Sequence, residues 1–155
     1  MNPQHKNFAF VFARAGSKGL PGKNMLKLCG KPLIQYSIDL ARSCDFICEV
    51  FLSTDCQLSA ELGKRLGAVV IDRPSNLATD SSPEWLSWKH AQKWVEERYG
   101  DFDNFVSLPA TSPLRTRDDV KKSLQRLSQT NADLCVGITE TNHHPAFNMV
   151  KRDKR

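Results

Sequence analysis

Apolar and polar segments alternate along this chain in a way that predicts strands and helices in turn. The short apolar runs that predict strands lie at residues 8–12, 46–53, 68–71, 102–108 and 134–139. Between them, apolar residues at three- or four-residue steps predict helices at residues 31–42 and 85–99. Short polar residues that can cap a helix predict one at residues 56–66, and acidic residues in a first turn favour one at residues 118–129. Because unbroken apolar strands are typical of sheets covered on both faces, the pattern predicts an α/β fold with a doubly wound, mostly parallel sheet.

The same pattern predicts where several side chains lie. One predicted helix carries a stripe at three- to four-residue steps that is expected in the core, made of Trp85, Trp88, Ala91, Trp94 or Val95, and Tyr99. His90 lies beside this stripe and is expected to face solvent. Asp55 follows the second strand and allows two interpretations: it caps the next helix, or it is a carboxylate at the sheet edge where open α/β folds bind ligands.

A cationic, glycine-rich loop follows the first predicted strand. Residues 14–24 read R-A-G-S-K-G-L-P-G-K-N, and the glycines leave backbone amides open to a ligand. The loop carries Arg14, Lys18 and Lys23. Residues 1–38 hold six basic and no acidic side chains, so the net charge of +5 comes from this end of the chain. This concentration of positive charge favours a polyphosphate ligand.

Two common phosphate-binding loops do not match this sequence. The nucleotide triphosphatase loop has four residues between its glycines and a hydroxyl residue after its lysine, whereas five residues separate Gly16 from Gly22 and Asn24 follows Lys23. The dinucleotide fingerprint has the spacing G-x-G-x-x-G, whereas this loop has G-x-x-G-x-x-G and includes a proline. The loop therefore needs another explanation.

Composition excludes several classes of protein and of ligand. A chain of 155 residues predicts one domain, and it has neither an apolar run near 18 residues nor a basic and apolar leader, so we expect a cytoplasmic protein without a membrane partner. The five cysteines include no C-x-x-C pair, which argues against a disulfide framework and a zinc site. No aromatic residue lies between Phe12 and Tyr36 among the basic residues, so nucleic acid is not expected as the ligand.

Residues 13–24, A-R-A-G-S-K-G-L-P-G-K-N, resemble the first motif of the CMP-sialic acid synthetase (acylneuraminate cytidylyltransferase) family. Further motifs follow in the family's order: R-P-x-x-L-A-x-D at residues 73–80 and T-S-P-L-R at residues 111–115. The resemblance covers residues 7–150, the amino-terminal part of a typical member. It implies a Rossmann-like nucleotide-diphospho-sugar transferase architecture that is truncated at its carboxyl end.

The resemblance implies an enzyme that joins a nonulosonic acid to the α-phosphorus of CTP, giving the CMP-sugar and pyrophosphate. The residues that match catalytic cations of the family are Arg14, Lys18 and Lys23. The matching nucleotide-binding residues are Ala13, Ala15, Gly16, Ser17, Asn24, Arg73, Asp80 and Ser81. The matching residues for the acceptor acid are Thr111, Ser112, Arg115, His143 and His144.

Some of these roles have alternatives. Residues 80–83 could simply start a helix, and Arg115 could pair with the acceptor's carboxylate or with a helix cap. Pro109 stands where the family has a glutamine associated with sugar recognition, which argues for an acceptor other than ordinary sialic acid. The enzyme that activates Kdo has Q-G-D-E-P where this chain has P-A-T-S-P. A basic, non-catalytic domain that binds nucleotide or RNA is a further alternative.

The resemblance also implies partners and a cofactor. Members of the family use Mg²⁺, and their metal-binding aspartates correspond to positions beyond residue 155, so no metal ligand is expected within this chain. They are homodimers, and residues 140–155 would begin a dimer arm that is not completed here. We therefore expect one nucleotide-binding domain over residues 1–155, which binds CTP but turns over poorly.

Overall fold

The computed structural model of the protein describes residues 5–16, 19–130 and 132–138. The chain forms two compact units, residues 1–121 and residues 122–155. The first unit contains the sheet, the glycine-rich loop and the R-P-x-x-L-A-x-D segment. The site that the sequence predicts therefore lies within this unit, apart from Ser17, Lys18, His143 and His144, which are outside the described residues.

The first unit is built on a parallel sheet. The strands of this unit are β1 (Asn7–Phe12), β2 (Lys27–Leu28), β3 (Lys31–Pro32), β4 (Glu49–Thr54), β5 (Val69–Asp72) and β6 (Asn104–Ser107). Four of them form the main sheet in the order β5-β4-β1-β6, and every neighbouring pair is parallel. The predicted parallel sheet is confirmed, and the carboxyl ends of its strands lie at one edge.

The helices lie within two residues of their predicted bounds. They are α1 (Leu33–Ser43), α2 (Gln57–Arg65), α3 (Glu84–Tyr99) and α4 (Arg117–Thr130). Lys31 and Pro32 belong to β3, which pairs with β2 in a small antiparallel hairpin, so the prediction that they open α1 is wrong. The extended backbone of Pro32 places it just before the helix, where its missing amide hydrogen costs nothing.

Both faces of the main sheet are covered. Phe8 and Phe10 point to one face, where they form a buried cluster with Ala91 and Val95 of α3. Because side chains alternate along a strand, Ala9 and Val11 point to the other face, where they are equally buried. Helix α1 contacts β1 and β4. This two-sided burial explains why β1 has no polar residue between positions 8 and 12.

The prediction that this stripe of α3 lies in the core is confirmed for Ala91 and Val95 and wrong for Trp85, Trp88 and Tyr99. Trp85 is 50% exposed and Trp88 is 36% exposed, whereas Trp94 packs partly against the core. The buried residues of α3 are Ser87, Ala91 and Val95. Small side chains on this face let the helix approach a sheet whose own face is filled with phenylalanine rings, so the indoles are displaced to the rim.

The strand predicted at residues 134–139 is also wrong, over the part that the structure describes. Residues 132–138 have no regular secondary structure, and Leu134 and Ile138 are 72% and 92% exposed. An apolar run becomes a strand only when a neighbouring strand pairs with it, and local sequence cannot supply that neighbour. Thr139 lies outside the described residues.

Candidate functional site

A pocket of about 350 Å³ opens at the edge where the strands of the main sheet end. Phe12 ends β1, Ser107 ends β6 and Arg73 follows β5, and all three line it. The other lining residues are Arg14, Lys23, Asn24, Leu77, Thr79, Asp80, Ser82, Glu84, Ser87, Pro109, Ala110 and Thr111. In open α/β folds the carboxyl edge of the sheet is where ligands bind, so this pocket is the candidate site.

The glycine-rich loop is held at its start by the end of β4. The amide of Ala13 donates to the carbonyl oxygen of Ser53 at 3.0 Å, and Thr54 Oγ1 donates to the carbonyl oxygen of Ala13. The amide of Ala15 donates to Asp55 Oδ1 at 2.7 Å. The interpretation of Asp55 as a helix cap is wrong, because α2 has no side-chain cap and this carboxylate binds the loop instead.

Asn24 closes the other end of the loop. Its side chain is buried and lines the pocket, and its Nδ2 donates to the carbonyl oxygen of Arg14 at 3.2 Å. The preceding Gly22 has a φ of +65°, a left-handed conformation that glycine adopts without strain. Lys23 begins the short 3₁₀ turn that follows and lines the pocket. It forms no ion pair with any residue that the structure describes.

Arg14 bridges the glycine-rich loop and the segment that precedes α3. Its Nη2 lies 2.7 Å from Asp80 Oδ1, and its Nη1 donates to the carbonyl oxygen of Ala78 at 3.4 Å. Both charged side chains are about a third exposed, so a ligand can reach them. The pair fixes the guanidinium at the wall of the pocket, and an anionic ligand would compete with Asp80 for it.

Arg73 is the buried cation of the pocket. Its Nε donates to Ser53 Oγ at 3.2 Å and its Nη2 donates to the Ser53 carbonyl oxygen at 2.9 Å. The guanidinium also lies 5.5 Å from the ring centre of Phe12. Burial lowers the pKa of Arg73, while the carboxylates of Asp55 and Glu84 raise it. An arginine stays charged in such surroundings, so Arg73 contributes fixed positive charge.

The wall after β6 is partly apolar. Pro109 and Ala110 line the pocket beside Thr111. Arg115 does not line it, and its Nη2 donates to the carbonyl oxygens of Pro109 and Ser112 at 3.0 and 3.3 Å. Arg115 therefore holds the shape of this wall. Thr116 and Asp119 form the reciprocal cap at the start of α4, and the carboxylate of Asp119 opposes the lowering of the Arg115 pKa by burial, which agrees with the interpretation that Arg115 pairs with a helix cap.

The structure brings together only some of the residues that the family resemblance indicates. Those lining the pocket are Arg14, Lys23, Asn24, Arg73, Asp80 and Thr111. Those outside its lining are Ala13, Ala15, Gly16, Ser81, Ser112 and Arg115. Ser17, Lys18, His143 and His144 lie outside the described residues. The roles of all sixteen remain predictions.

Sequence reasoning missed several polar residues of the pocket. They are Thr79, Ser82, Glu84, Ser87 and Ser107. Ser82 Oγ is buried and has no hydrogen-bond partner in the described part of the chain, whereas Ser87 Oγ donates to the Leu77 carbonyl oxygen at 3.3 Å. The position of Ser107 at a strand's carboxyl end could have identified it, but the residues of α3 carry no local signal.

His90 is partly buried, whereas the sequence predicted that it faces solvent. Its Nδ1 is buried and lacks a hydrogen-bond partner among the residues described. Burial lowers the pKa of His90 below its usual 6.5, and the positive charge of Arg73 lowers it further. Both causes favour the neutral form of the imidazole.

This shift predicts a pH dependence of stability. As pH falls through 6.5, the unfolded state takes up a proton at His90 that the folded state resists, so the free energy of unfolding should fall. The loss should continue until pH reaches the lower folded pKa. Urea unfolding of wild type and His90→Gln at about pH 7.5 and about pH 5.5 measures the effect. If His90→Gln loses as much free energy of unfolding between these two pH values as wild type does, the prediction is contradicted.

The described residues do not fit a magnesium site. Within residues 5–16, 19–130 and 132–138, no group of three or more His, Cys, Asp and Glu side chains is placed to hold a metal ion. The pocket contains the carboxylates of Asp80 and Glu84, and Asp80 is already paired with Arg14. No metal-dependent step can be derived from this part of the chain.

No helix in the described part of the chain combines the length and the apolar character needed to cross a bilayer.

Comparison with known proteins gives sequence matches over most of the chain. Residues 8–151 match the family model described as cytidylyltransferase. The chain is 35% identical over 151 residues to the N-acylneuraminate cytidylyltransferase of Streptococcus agalactiae serotype III, covering 96% of this chain and 36% of that protein. It is 32% identical over 136 residues to the pseudaminic acid cytidylyltransferase of Campylobacter jejuni, covering 87% and 59%. The chain thus spans only part of the length of these relatives.

A solved structure confirms the architecture. The CMP:2-keto-3-deoxy-manno-octonic acid synthetase complexed with CTP matches with a TM-score of 0.66 and 24% identity. The match covers 82% of this chain and 49% of that one. The predicted Rossmann-like fold is therefore confirmed for the part that the two chains share.

Proposed function

The chain belongs to the cytidylyltransferase family, and on this basis we propose that it binds CTP in the pocket beyond β1 and takes part in transferring CMP to a nonulosonic acid. One observation carries the proposal: Arg14, Lys23 and Arg73 converge on a single pocket at the carboxyl edge of a parallel sheet. Three cations there are opposed by two carboxylates, so the pocket favours an anion.

The cations suit the leaving group of the reaction. When the acceptor hydroxyl attacks the α-phosphorus, negative charge grows on the departing pyrophosphate and must be neutralised. Lys23 forms no ion pair with the described residues, and Arg14 can exchange its contact with Asp80 for a phosphate oxygen. We assign the β- and γ-phosphates to these two side chains. Lys18, Gly16 and the amide of Ser17 are predicted to complete the cradle.

The segment that precedes α3 suits the nucleoside. Ser82 Oγ is buried without a hydrogen-bond partner in the described part, and a polar group of the nucleotide would satisfy it. Arg73, which is held by Ser53, lines the same wall together with Asp80. Asn24 and Ser81 are predicted to assist, as are the backbone groups of Ala13 and Ala15.

The acceptor is proposed to be a nonulosonic acid. Relatives more than 30% identical are named for N-acylneuraminate and for pseudaminic acid, which favours this class over Kdo. Thr111, which lines the pocket, is predicted to contact the acceptor. Pro109, which also lines the pocket, offers no side-chain donor, which favours an acid other than ordinary sialic acid. Ser112, Arg115, His143 and His144 are predicted to contribute to acceptor binding.

Nucleotidyltransferases generally use a divalent metal to neutralise phosphate charge. We propose Mg²⁺ as the cofactor, with ligands outside the described residues, because the described carboxylates do not form a site. A homodimer with an arm that begins at residues 140–155 also remains a proposal, since those residues are not described. We also propose a cytoplasmic location.

Titration calorimetry tests the proposal directly. The 155-residue chain is titrated with CTP, UTP and ATP in the presence of Mg²⁺, and saturable binding with a preference for CTP is expected. Release of pyrophosphate is then assayed with N-acetylneuraminic, pseudaminic and legionaminic acids. Equal binding of all three nucleotides, or none, would contradict the proposal.

The concentration of positive charge in residues 1–38 keeps one alternative open, a domain that binds RNA without chemistry. The double variant Lys18→Ala, Lys23→Ala separates the two. A loss confined to CTP binding supports the transferase. A uniform loss of RNA affinity, with a steep dependence on salt in the wild type, supports RNA binding.

A further inference from the structure

The end of β4 holds the start of the glycine-rich loop through three consecutive residues. The carbonyl oxygen of Ser53 and the hydroxyl of Thr54 bind the amide and the carbonyl of Ala13, which is buried. Asp55 reaches two residues further and accepts the amide of Ala15 at 2.7 Å. One backbone and two side-chain hydrogen bonds thus continue the contact between β1 and β4 beyond their paired residues.

The contact of Asp55 is placed differently from the other two. Ala13 is still packed against the sheet, whereas Ala15 is exposed and is the point where the chain leaves the sheet to carry its glycines and cations. Asn24 donates to the carbonyl oxygen of Arg14 and Asp55 accepts the amide of Ala15, and therefore Arg14 and Ala15 are both fixed. Without Asp55, the amide of Ala15 would be released to solvent.

A carboxylate this close to a polyphosphate site needs compensation. The buried guanidinium of Arg73 provides it, because the charge of Asp55 is among those that stabilise its protonated form. A carboxylate is also a stronger acceptor for an amide than a neutral group. The position therefore tolerates a negative charge that would otherwise repel the ligand.

We propose that Asp55 is a positioning residue of the nucleotide site: its carboxylate fixes Ala15 and thereby aims the amides and cations of the glycine-rich loop at the ligand. The ligand, CTP, rests on the proposed function, whereas the hydrogen bond does not. Asp55 itself does not line the pocket and touches no reacting atom.

Three substitutions separate position from charge. Asp55→Asn keeps an acceptor oxygen in place and removes the charge, Asp55→Glu keeps the charge and moves the oxygen, and Asp55→Ala removes both. Asp72→Ala is the matched control, because Asp72 is an exposed carboxylate at the end of β5, on the same sheet edge. All variants are compared in the 155-residue chain, with thermal unfolding to confirm folding.

Two readouts are measured for each variant: the hydrogen-exchange rate of the Ala15 amide by NMR without ligand, and the Kd for CTP by calorimetry. Asp55→Ala and Asp55→Glu should speed the exchange and raise the Kd by about tenfold. Asp55→Asn should stay within about threefold of wild type in both readouts. Asp72→Ala should leave both unchanged.

Two results would overturn the proposal. One is a hydrogen-exchange rate of the Ala15 amide that is the same in Asp55→Ala as in wild type, which would mean that the carboxylate does not hold the loop. The other is an Asp55→Asn variant as weak as Asp55→Ala, which would assign the effect to charge. If wild type binds no CTP, the proposed function fails, but exchange at Ala15 still decides whether Asp55 anchors the loop. If Asp55→Ala does not fold, the Asn and Glu pair gives the same decision.

Discussion

Replacing Lys23 with alanine is expected to weaken CTP binding by about 10- to 100-fold, the range for a lost hydrogen bond between charged groups. Lys23 lines the pocket, and within the described residues it has no ion-pair partner to lose. Its removal should therefore leave the fold intact and act on the ligand alone. Titration calorimetry at about 0.1 M salt measures the change in Kd.

Lys27→Ala provides the matched control. Lys27 lies four residues further on, in the exposed strand β2, and its removal lowers the net charge by the same amount. We expect less than about a threefold change in Kd, because an exposed charge outside the pocket is screened by salt. Equal losses in the two variants would show that only the general positive field matters, and an unchanged Kd in Lys23→Ala would remove this lysine from the site.

Replacing Phe10 with alanine is expected to lower the free energy of unfolding by about 3–5 kcal/mol. Phe10 is buried in the middle of β1, with its ring stacked 3.9 Å from that of Phe105 and 5.3 Å from that of Phe51. Truncation would remove these contacts and leave a cavity between the sheet and α3. A loss of this size is a large part of the about 5–15 kcal/mol that stabilises a typical domain.

Urea unfolding followed by circular dichroism measures this loss, with Leu58→Ala as the control. Leu58 is 62% exposed on α2, so its truncation should cost less than about 0.5 kcal/mol. If Phe10→Ala unfolds at the same urea concentration as wild type, the phenylalanine cluster is not the stabilising core. Loss of stability in β1 should also affect the site, because β1 ends at Phe12, which lines the pocket and is followed by the glycine-rich loop.

Most of the fold could be predicted because its signals are local. The unbroken apolar run at residues 8–12 indicated a strand covered on both faces, and it is the strand that pairs with both β4 and β6. The helices were predicted within two residues of their bounds, because a three- to four-residue period and the residues that favour a helix start appear directly in the sequence. Errors arose where burial depends on packing between elements. Trp85 and Trp88 were expected in the core, but they are exposed, and smaller residues form the buried face of α3.

The site was predictable in part. The glycine-rich loop was identified from its own residues, and Arg73 and Asp80 were identified through a family resemblance, which spacing alone would not have justified. Glu84 and Ser87 of α3 line the same pocket and were missed, because a polar residue in the first turns of a helix is ordinary. The two predicted histidines and Lys18 lie outside the described residues.

The order of residues by itself determined the class of fold, the cationic loop after β1 and the family, because each depends on neighbours along the chain. Only the tertiary structure decided that Arg14 is paired with Asp80, that Arg73 is buried on Ser53 and that Asp55 holds Ala15. These partners are 20 to 66 positions apart in the chain, and parallel strands bring their ends to one edge whatever lies between them. Contacts made at that edge leave no periodic trace in the sequence.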